Sequence, residues 1–406
     1  MKKFLAVIFA VCLLLTLTAS FAGAAAATPA PAAAKAEEEK AAPLTYEKAV
    51  ELALKNSIEL KNVRQTLTQS QKLWENAAQQ RAYTNNIPAG PGYDLADAAA
   101  RGVLLASIQL ETTYQMAKRQ VDIAEEKIAY GVKIAMDDVR KKLAEIKISK
   151  SSLDYTALKV QQSTVKNKLG IESAMQLQDI QKQYAEEQQQ LVLLEKQLGD
   201  AYLKLNNLIG KETGERYEIA FAPLPGTTNV ATTNADKAKD TKETEEAEEP
   251  EPVFLAPDLN LETHITRILN NHPGIWMQEQ TINMAEYDLE LYTYNVGDKP
   301  YDVKQIDVLK AKNDLATLRL NVDAGLRNVY SQLKQLEDQY AALELKLARA
   351  EDGLAIIKVR YKVGMAVASD VTQAELGIAQ LRYQLDNILI GAAQLKTIFE
   401  KPWLAS

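Results

Sequence analysis

Two histidines are the residues of this sequence best suited by type to acid–base chemistry or metal binding. His264 and His272 lie eight residues apart, with no cysteine and no paired acids near them at ligand spacing. A metal site needs several such ligands converging on one point, so we predict no metal site. The sequence also has no glycine-rich phosphate loop, nucleophile elbow or Ser-His-Asp order. We therefore predict a protein that is not an enzyme and uses no cofactor.

Gly170 and Gly364 have a conformational role rather than a chemical one. Each ends one helical pattern and begins another, where glycine suits a positive φ or a tight reversal. Apolar residues after Gly364 alternate in steps of three and four, which is the seam of a coiled coil. The members of this seam are Val371, Ala374, Ile378, Leu381, Leu385, Ile388, Ala392, Leu395 and Phe399.

The same seam follows Gly170, displaced by the 194 residues that separate the two glycines, and only Glu187 breaks it. The sequences LTYEKAVELALKNS, from Leu44, and LNLETHITRILNNHP, from Leu259, also match, with Asn56 corresponding to Asn271. These duplications predict an all-α fold of two tandem repeats of long antiparallel coiled-coil helices. The first seam consists of Leu177, Ile180, Tyr184, Leu191, Leu194, Leu198, Ala201, Leu205 and Leu208.

The predicted helices are too long for one face of a globular domain. A helix of about 70 residues is roughly 100 Å long, so its seam needs coiled-coil partners. In the first repeat we predict one helix from Leu44, capped by Thr45, to about Tyr83, a second from Asp94 or Asp97 to about Lys168, and a return helix to about Gly210. In the second repeat we predict a first helix that ends near Tyr294 and a long helix that turns at Gly364.

Composition divides the chain into five segments. We predict a signal peptide at 1–24, a low-complexity tether at 25–43, the first repeat at 44–223, an acidic disordered linker at 224–257 and the second repeat at 258–404. The signal has two lysines, an apolar run and small residues before its predicted cleavage site; an uncleaved membrane anchor is the alternative. Val11 before Cys12, the only cysteine, argues against a lipoprotein site. We expect an exported chain.

Charge and composition also limit the possible partners. The chain has a formal net charge of −7 and no basic face in its sequence pattern, which argues against nucleic acid as a partner. Its 25% of charged residues, in an Ala-, Leu-, Lys- and Glu-rich background, favour long helices.

The export signal, the two matched openings and one turn motif together resemble the TolC family of outer-membrane efflux proteins. RYKVGMAVASDVTQAE (360–375) is similar to that family's R-Y-x-x-G turn with its Asp-Val and return helix, and NKLGIESAMQLQDIQ (167–181) is a diverged copy. The resemblance implies a trimeric, tunnel-like assembly of helices. It also implies a passive export duct that works with a periplasmic adaptor (membrane fusion) protein and an inner-membrane pump.

The resemblance assigns two sets of site residues. Tyr361 and Asp370 match family positions at the tunnel constriction, while Gln373 and Ala366 stand where the family often has an acid and an arginine. Asp370 has a second interpretation, as an acid that complements the dipole at the start of the return helix. Tyr361 has one too, as a core residue of the seam. The turns that would dock an adaptor are Leu169, Gly170, Ile171 and Val363, Gly364, Met365.

The sequence departs from the family in its loops. TNNIPAGPGYDLAD (84–97) and NVGDKPYD (295–302) are too short and too polar for pairs of membrane strands. We therefore predict little or no β-barrel and doubt membrane insertion by one. Localisation is expected in the cell envelope: outer membrane or periplasm where the cell has one, otherwise outside the cytoplasmic membrane. A non-conducting coiled-coil scaffold of the envelope, derived from the same family, is the alternative function.

Overall fold

The computed structural model describes residues 43–84, 94–224, 254–256, 259–292 and 299–405, and all statements below concern these residues. The predicted signal peptide, nearly all of the tether, most of the acidic linker and the core of both loops lie outside the described residues. The elements are α1 (Tyr46–Asn56), α2 (Ile58–Thr84), α3 (Asp94–Lys168), α4 (Ala174–Ile209), α5 (Leu261–Asn271), α6 (Pro273–Glu290), α7 (Tyr301–Lys362), α8 (Ala368–Glu400) and a short 3-10 turn (Pro402–Leu404). The all-α prediction is confirmed.

The first helix of each repeat is broken, a feature that the sequence pattern did not predict. The single helix expected from Leu44 to Tyr83 is α1 and α2, separated at Ser57, and its counterpart is α5 and α6, separated at His272. Both linking residues have extended backbone, with ψ of 121° in each. In the second repeat the break has a clear local cause, because Pro273 disfavours helical geometry in the residue before it.

The first part of the second repeat also ends earlier than predicted. Helix α6 ends at Glu290, and Leu291 follows it with φ −88° and ψ 13°, so the predicted end near Tyr294 is wrong. The residues after Leu291 are Tyr, Thr, Tyr and Asn. All of these residue types have weak helix propensity.

Each repeat has its own apolar core. In the first, α1, α3 and α4 bury residues such as Val132, Val139 and Leu205. In the second, α5, α7 and α8 bury Leu326, Leu333 and Phe399 among others. On α8 the buried members of the predicted seam recur every seven residues, as expected when a coiled-coil position faces a partner helix; they are Ile378, Leu385, Ala392 and Phe399.

The contact between the repeats, where α3 packs against α8, is rich in hydrogen bonds. Five side-chain bonds recur along it, from the end of α8 toward its start: Lys401 to Glu126 (2.8 Å), Lys133 to Thr397 (3.2 Å), Gln394 to Asp137 (2.9 Å), Tyr383 to Glu145 (2.5 Å) and Tyr155 to Gln373 (2.9 Å). These pairs fix the register of the second repeat on the first. They also show that α3 and α7 run toward the same end, since α8 is antiparallel to both.

Candidate functional site

The turns at Gly170 and Gly364 have the same backbone structure. Both glycines have positive φ, +71° and +77°. In each turn the glycine N–H bonds the carbonyl three residues back, at 3.0 and 3.1 Å, and the next N–H bonds the carbonyl five residues back, at 2.9 and 2.8 Å. This pair of hydrogen bonds is the Schellman motif, in which a residue with left-handed backbone ends a helix and the last carbonyls of the helix find donors. The two predicted helix–turn–helix units therefore share one geometry.

The return helices begin with matching caps. Gln176 accepts a hydrogen bond from the backbone N–H of Ser173 (2.9 Å), and Asp370 accepts one from that of Val367 (3.1 Å). Ser173 completes a reciprocal box with Gln176, whereas Val367 has no side-chain oxygen to do so. The interpretation of Asp370 as an acid at the helix start thus has a direct contact behind it. Its role in a tunnel constriction stays a prediction.

The predicted docking residues are all exposed. At the first turn Leu169 and Ile171 are 68% and 73% exposed, and at the second Val363 and Met365 are 64% and 81% exposed. The glycine between the members of each pair is exposed as well. Large apolar side chains at such exposure gain nothing for a single chain in water. Their role as a docking surface stays a prediction.

Basic residues surround both apolar tips. Lys166 and Lys168 precede the first turn, and Arg360 and Lys362 precede the second. They follow the macrodipole rule, which favours cations in the last turn of a helix. No ion pair with any of the four is formed by the part of the chain that the structure describes. These residues were not among the sequence predictions, although their spacing around the glycines is visible in the sequence.

The three predicted constriction residues have different surroundings and do not hydrogen-bond to one another. Tyr361 is 49% exposed, so the interpretation of Tyr361 as a core residue is wrong for the single chain. Gln373 accepts a hydrogen bond from Tyr155 on α3 (2.9 Å) and so links the two repeats near the turns. Among the described residues, no side-chain bond joins Tyr361, Asp370 and Gln373. Tyr155 was missed because nothing in a single sequence pairs α3 with α8.

The two histidines have structural roles. His264 stacks on Phe399, with ring centroids 4.1 Å apart, and its Nε2 lies 3.0 Å from the Phe399 carbonyl oxygen. His272 accepts backbone N–H bonds at Nδ1 from Gly274 and Ile275, and burial lowers its pKa below the usual value. Within the described ranges no group of three or more His, Cys, Asp or Glu side chains is placed to hold a metal ion.

One polar pair between the repeats, Glu145 of α3 and Tyr383 of α8, has shifted pKa values. Burial, together with the hydrogen bond to Glu145, raises the pKa of Tyr383 to about 12. Burial alone would raise the pKa of Glu145, but hydrogen bonds from Lys142 and Tyr383 bring that pKa below its usual value. The pair therefore consists of a carboxylate and a neutral phenol over the whole neutral range, and its contact does not change with pH there.

A search for membrane-spanning helices gave a negative result. Among the residues that the structure describes, none of the helices combines the length and the apolar character needed to cross a bilayer.

Comparison with known proteins gives a result at the level of structure alone. No family model matches the sequence, and no curated protein matches it. Solved structures do match. The outer-membrane channel OprN is 12% identical, with a TM-score of 0.60 over 88% of this chain and 90% of its own. The outer membrane protein VceC of Vibrio cholerae is 12% identical, with a TM-score of 0.59 over 89% and 96%.

A third similar structure is the outer membrane channel CmeC of Campylobacter jejuni, which is 11% identical with a TM-score of 0.58 over 88% of this chain and 85% of its own. At sequence identities this low, the structural match establishes the fold and leaves the activity open. Coverage is nearly complete in both directions, so the likeness extends over both repeats. The resemblance that the turn motifs indicated is thereby confirmed, and this chain has the fold of the TolC-family outer-membrane channels.

Proposed function

We propose that the protein is an export-duct component of a multipart efflux or secretion system. It would act as a passive conduit in the cell envelope, assembled as a homotrimer, with an inner-membrane pump supplying the energy and an adaptor docked on the two turns. The fold likeness to efflux channels supports the general role. The trimer, the adaptor contact and the constriction come from the resemblance and from the exposed surfaces of the single chain.

The observation that carries this proposal is the row of exposed apolar side chains on α7. Leu320, Leu345 and Ile356 are 70%, 64% and 55% exposed along a helix of 62 residues. Other large apolar residues of α4 are about half exposed, including Val192 and Leu193. Long helices with unburied apolar faces are explained by a core shared between subunits, because burial of such faces drives association.

The assembly state is tested by light scattering of the mature chain at micromolar concentration. A trimer is expected. A monomer would remove the basis of the conduit, since one chain encloses no tunnel. Replacing Leu320 and Leu345 by Gln should shift the equilibrium toward monomer. Replacing Leu73 by Gln, an exposed apolar residue of α2, serves as the control for altered solubility alone.

Conduction is tested at Asp370, the residue that the resemblance places at the constriction. The only cysteine lies in the predicted signal peptide, so the Asp370→Cys variant would carry a single thiol in the mature chain. If three Asp370 side chains meet at an axis, oxidation should link subunits and stop dye efflux in a complemented deletion strain, with recovery on reduction. A Lys72→Cys variant should neither cross-link nor lose efflux.

The alternative is a non-conducting envelope scaffold, and one observation favours it. Gln176 and Gln373 stand where a tighter constriction would have acids, so the predicted gate carries little charge. A scaffold should form the same trimer and bind its partner but show unchanged efflux when the oxidised Asp370→Cys variant is locked. The same cross-linking experiment therefore separates the two functions.

A further inference from the structure

We propose that a cleft between the two repeats is a binding site for a small organic amine with an aromatic or alkyl body. The cleft lies where α1, α3 and α8 meet, and the segment that follows α4 forms its fourth wall. Its volume is about 320 Å³, which is within the range of small-molecule sites in proteins. The site lies within one chain, so it does not depend on the proposed duct function.

Most of the cleft lining is apolar and comes from both repeats. Leu224, at the end of the segment after α4, belongs to the same buried cluster as Ile390 of α8. An apolar ligand body placed on this lining is removed from water, which favours binding. The main apolar members are Met136, Phe221, Pro223, Leu224, Ile390 and Ala393.

Two carboxylates reach this cleft from different helices. Glu47 lies in the first turn of α1, and Asp137 lies on α3. Burial raises the pKa of the Tyr46 phenol, and the charges of Glu47 and Asp137 raise it further, so both acids lie near that ring. Neither acid forms an ion pair with any residue that the structure describes. An ammonium group between them gains charge-assisted hydrogen bonds and relieves their mutual repulsion.

Asp137 is a half-buried carboxylate whose charge is incompletely compensated. It accepts one hydrogen bond, from the side-chain amide of Gln394 on α8 (2.9 Å). Burial raises the pKa of Asp137 above the usual value, although this hydrogen bond and three nearby cations oppose the rise. A ligand cation in direct contact favours the charged form of such a group. The three cations are Lys133, Arg140 and Lys141.

The two cations that line the cleft are held by acceptors of the protein. Lys133 donates to the Thr397 hydroxyl (3.2 Å). Arg140 donates to the carbonyl oxygen of Ala222 (2.8 Å), and its guanidinium covers the Phe221 ring at 5.6 Å. A carboxylate has about four lone-pair sites, and most of those of the two acids are unused in the described chain. The cleft therefore favours a cationic ligand over an anionic one.

A ligand in this cleft contacts both repeats at once. It touches Met136 of the first repeat and Ile390 and Ala393 of the second. Because it binds only where α3 and α8 are correctly packed, it stabilises that packing by mass action. The competing explanation is a packing gap that holds water alone, and the experiment is designed to separate the two.

The test uses three probes with one phenethyl body and different charge: phenethylamine, 2-phenylethanol and 3-phenylpropionate. Binding to the mature chain is followed by the methyl NMR signal of buried Met136 in protein labelled with ¹³C at its methionine methyl groups, and Met136→Leu identifies that signal. We expect the amine to bind at least about tenfold more tightly than the alcohol, and the carboxylate to leave the signal unmoved. Equal binding of all three probes, or no shift with millimolar amine, would overturn the inference.

Removal of one charge supplies the matched pair of variants. Asp137→Asn keeps the shape of the side chain and an oxygen for Gln394, and should reduce amine affinity to that of the alcohol. Asp138→Asn makes the same change at the adjacent residue, which does not line the cleft, and should leave the preference for the amine intact. An equal loss in both variants would mean that net charge, and not the cleft, attracts the amine.

Filling the cleft tests the location of the probe. Ala393→Leu should abolish amine binding, whereas Ala348→Leu on the exposed face of α7 should not. Amine binding that survives Ala393→Leu places the probe elsewhere and overturns the inference. Light scattering and circular dichroism check that each variant keeps its assembly and helicity. If Ala393→Leu fails this check, Glu47→Gln at an exposed position replaces it, and unchanged amine affinity in that variant is the contrary result.

Discussion

At their helix breaks the two repeats have the same backbone but different capping groups. Ser57 has φ −57° and ψ 121°, and His272 has φ −68° and ψ 121°. The Ser57 hydroxyl accepts the N–H of Leu60 (3.1 Å), while His272 Nδ1 accepts those of Gly274 and Ile275 (3.1 and 3.3 Å). The helix start requires an acceptor at this position and tolerates either group. One repeat therefore has a titratable cap, whose pKa burial lowers, and the other does not.

The ends of the return helices differ more. In the first repeat Gly210 ends α4, and Asn56 of α1 donates to the carbonyl of Ile209 (2.6 Å), so the end is held within the repeat. In the second repeat the chain continues past α8, and Lys401 and Trp403 both bond Glu126 of α3, at 2.8 and 2.6 Å. The first repeat is closed by its own residues, whereas the second is closed partly by the first.

The largest expected effect is a loss of stability on truncation of a core residue. Leu205 of the first core and Phe399 of the second stand at corresponding seam positions. Phe399 is 2% exposed and stacks on His264, so Phe399→Ala should lower the free energy of unfolding by about 3–5 kcal/mol. Leu205→Ala should cost about 2–5 kcal/mol. Urea titrations of both variants measure this. A Phe399→Leu variant that is as unstable as Phe399→Ala would show that the stack, and not apolar volume, holds the second core.

The next effect tests the self-contained end of the first repeat. A Cβ at Gly210 would stand 2.4 Å from Asn56 Nδ2 and 2.8 Å from its Cβ, at a positive φ of 74°. Gly210→Ala should cost about 2–4 kcal/mol, since backbone strain adds to loss of the Asn56 bond. Gly214 also has positive φ, but a Cβ added there would meet no atom within 4 Å in the described chain. Gly214→Ala should therefore cost only about 1–2 kcal/mol, and thermal unfolding should separate the two variants.

A smaller effect tests the dependence of the second repeat on the first. Glu126→Gln keeps one acceptor but removes the charge that Lys401 and Trp403 contact, and should cost about 1–2 kcal/mol. Glu125→Gln, at the adjacent position, breaks only an exposed pair with Arg64 and should cost about 0.5 kcal/mol or less. Hydrogen exchange of the C-terminal residues should increase in the first variant alone. Equal exchange in both would mean that Glu126 does not hold the end.

The repeats were predictable from the sequence because their signal is periodic. Seam residues such as Leu385 and Phe399, and the turn glycines Gly170 and Gly364, follow from spacing and backbone requirement alone. The break at Ser57 was not, because Ser57 has no proline beside it and a serine inside a long pattern is compatible with helix; the break at His272 was predictable in principle from Pro273. The contacts of Glu126 and Tyr155 were not predictable either. They depend on which helices meet across the repeats, and periodicity within one helix carries no such information.

The smallest effect, and the sharpest test of the helix-break comparison, is the pH dependence of the His272 cap. Burial lowers the pKa of His272 in the folded chain, so the unfolded chain takes up a proton first as pH falls below about 6.5. The stabilisation is complete above that pH and is lost as pH falls toward the folded pKa. Protonation at Nδ1 also removes the acceptor used by Gly274 and Ile275.

His272→Ser gives the second repeat the cap of the first. Its cost at pH 7.5 should be about 1 kcal/mol, from the weaker cap and the lost contact with Trp403. That cost should shrink as pH falls from 7.5 to 5.5, because only the wild-type chain loses a cap. Asp137 and Asp386, whose pKa values burial raises, titrate in both proteins and cancel in the difference. Parallel pH profiles for the two proteins would mean that the caps of the two repeats are equivalent in their response to protons.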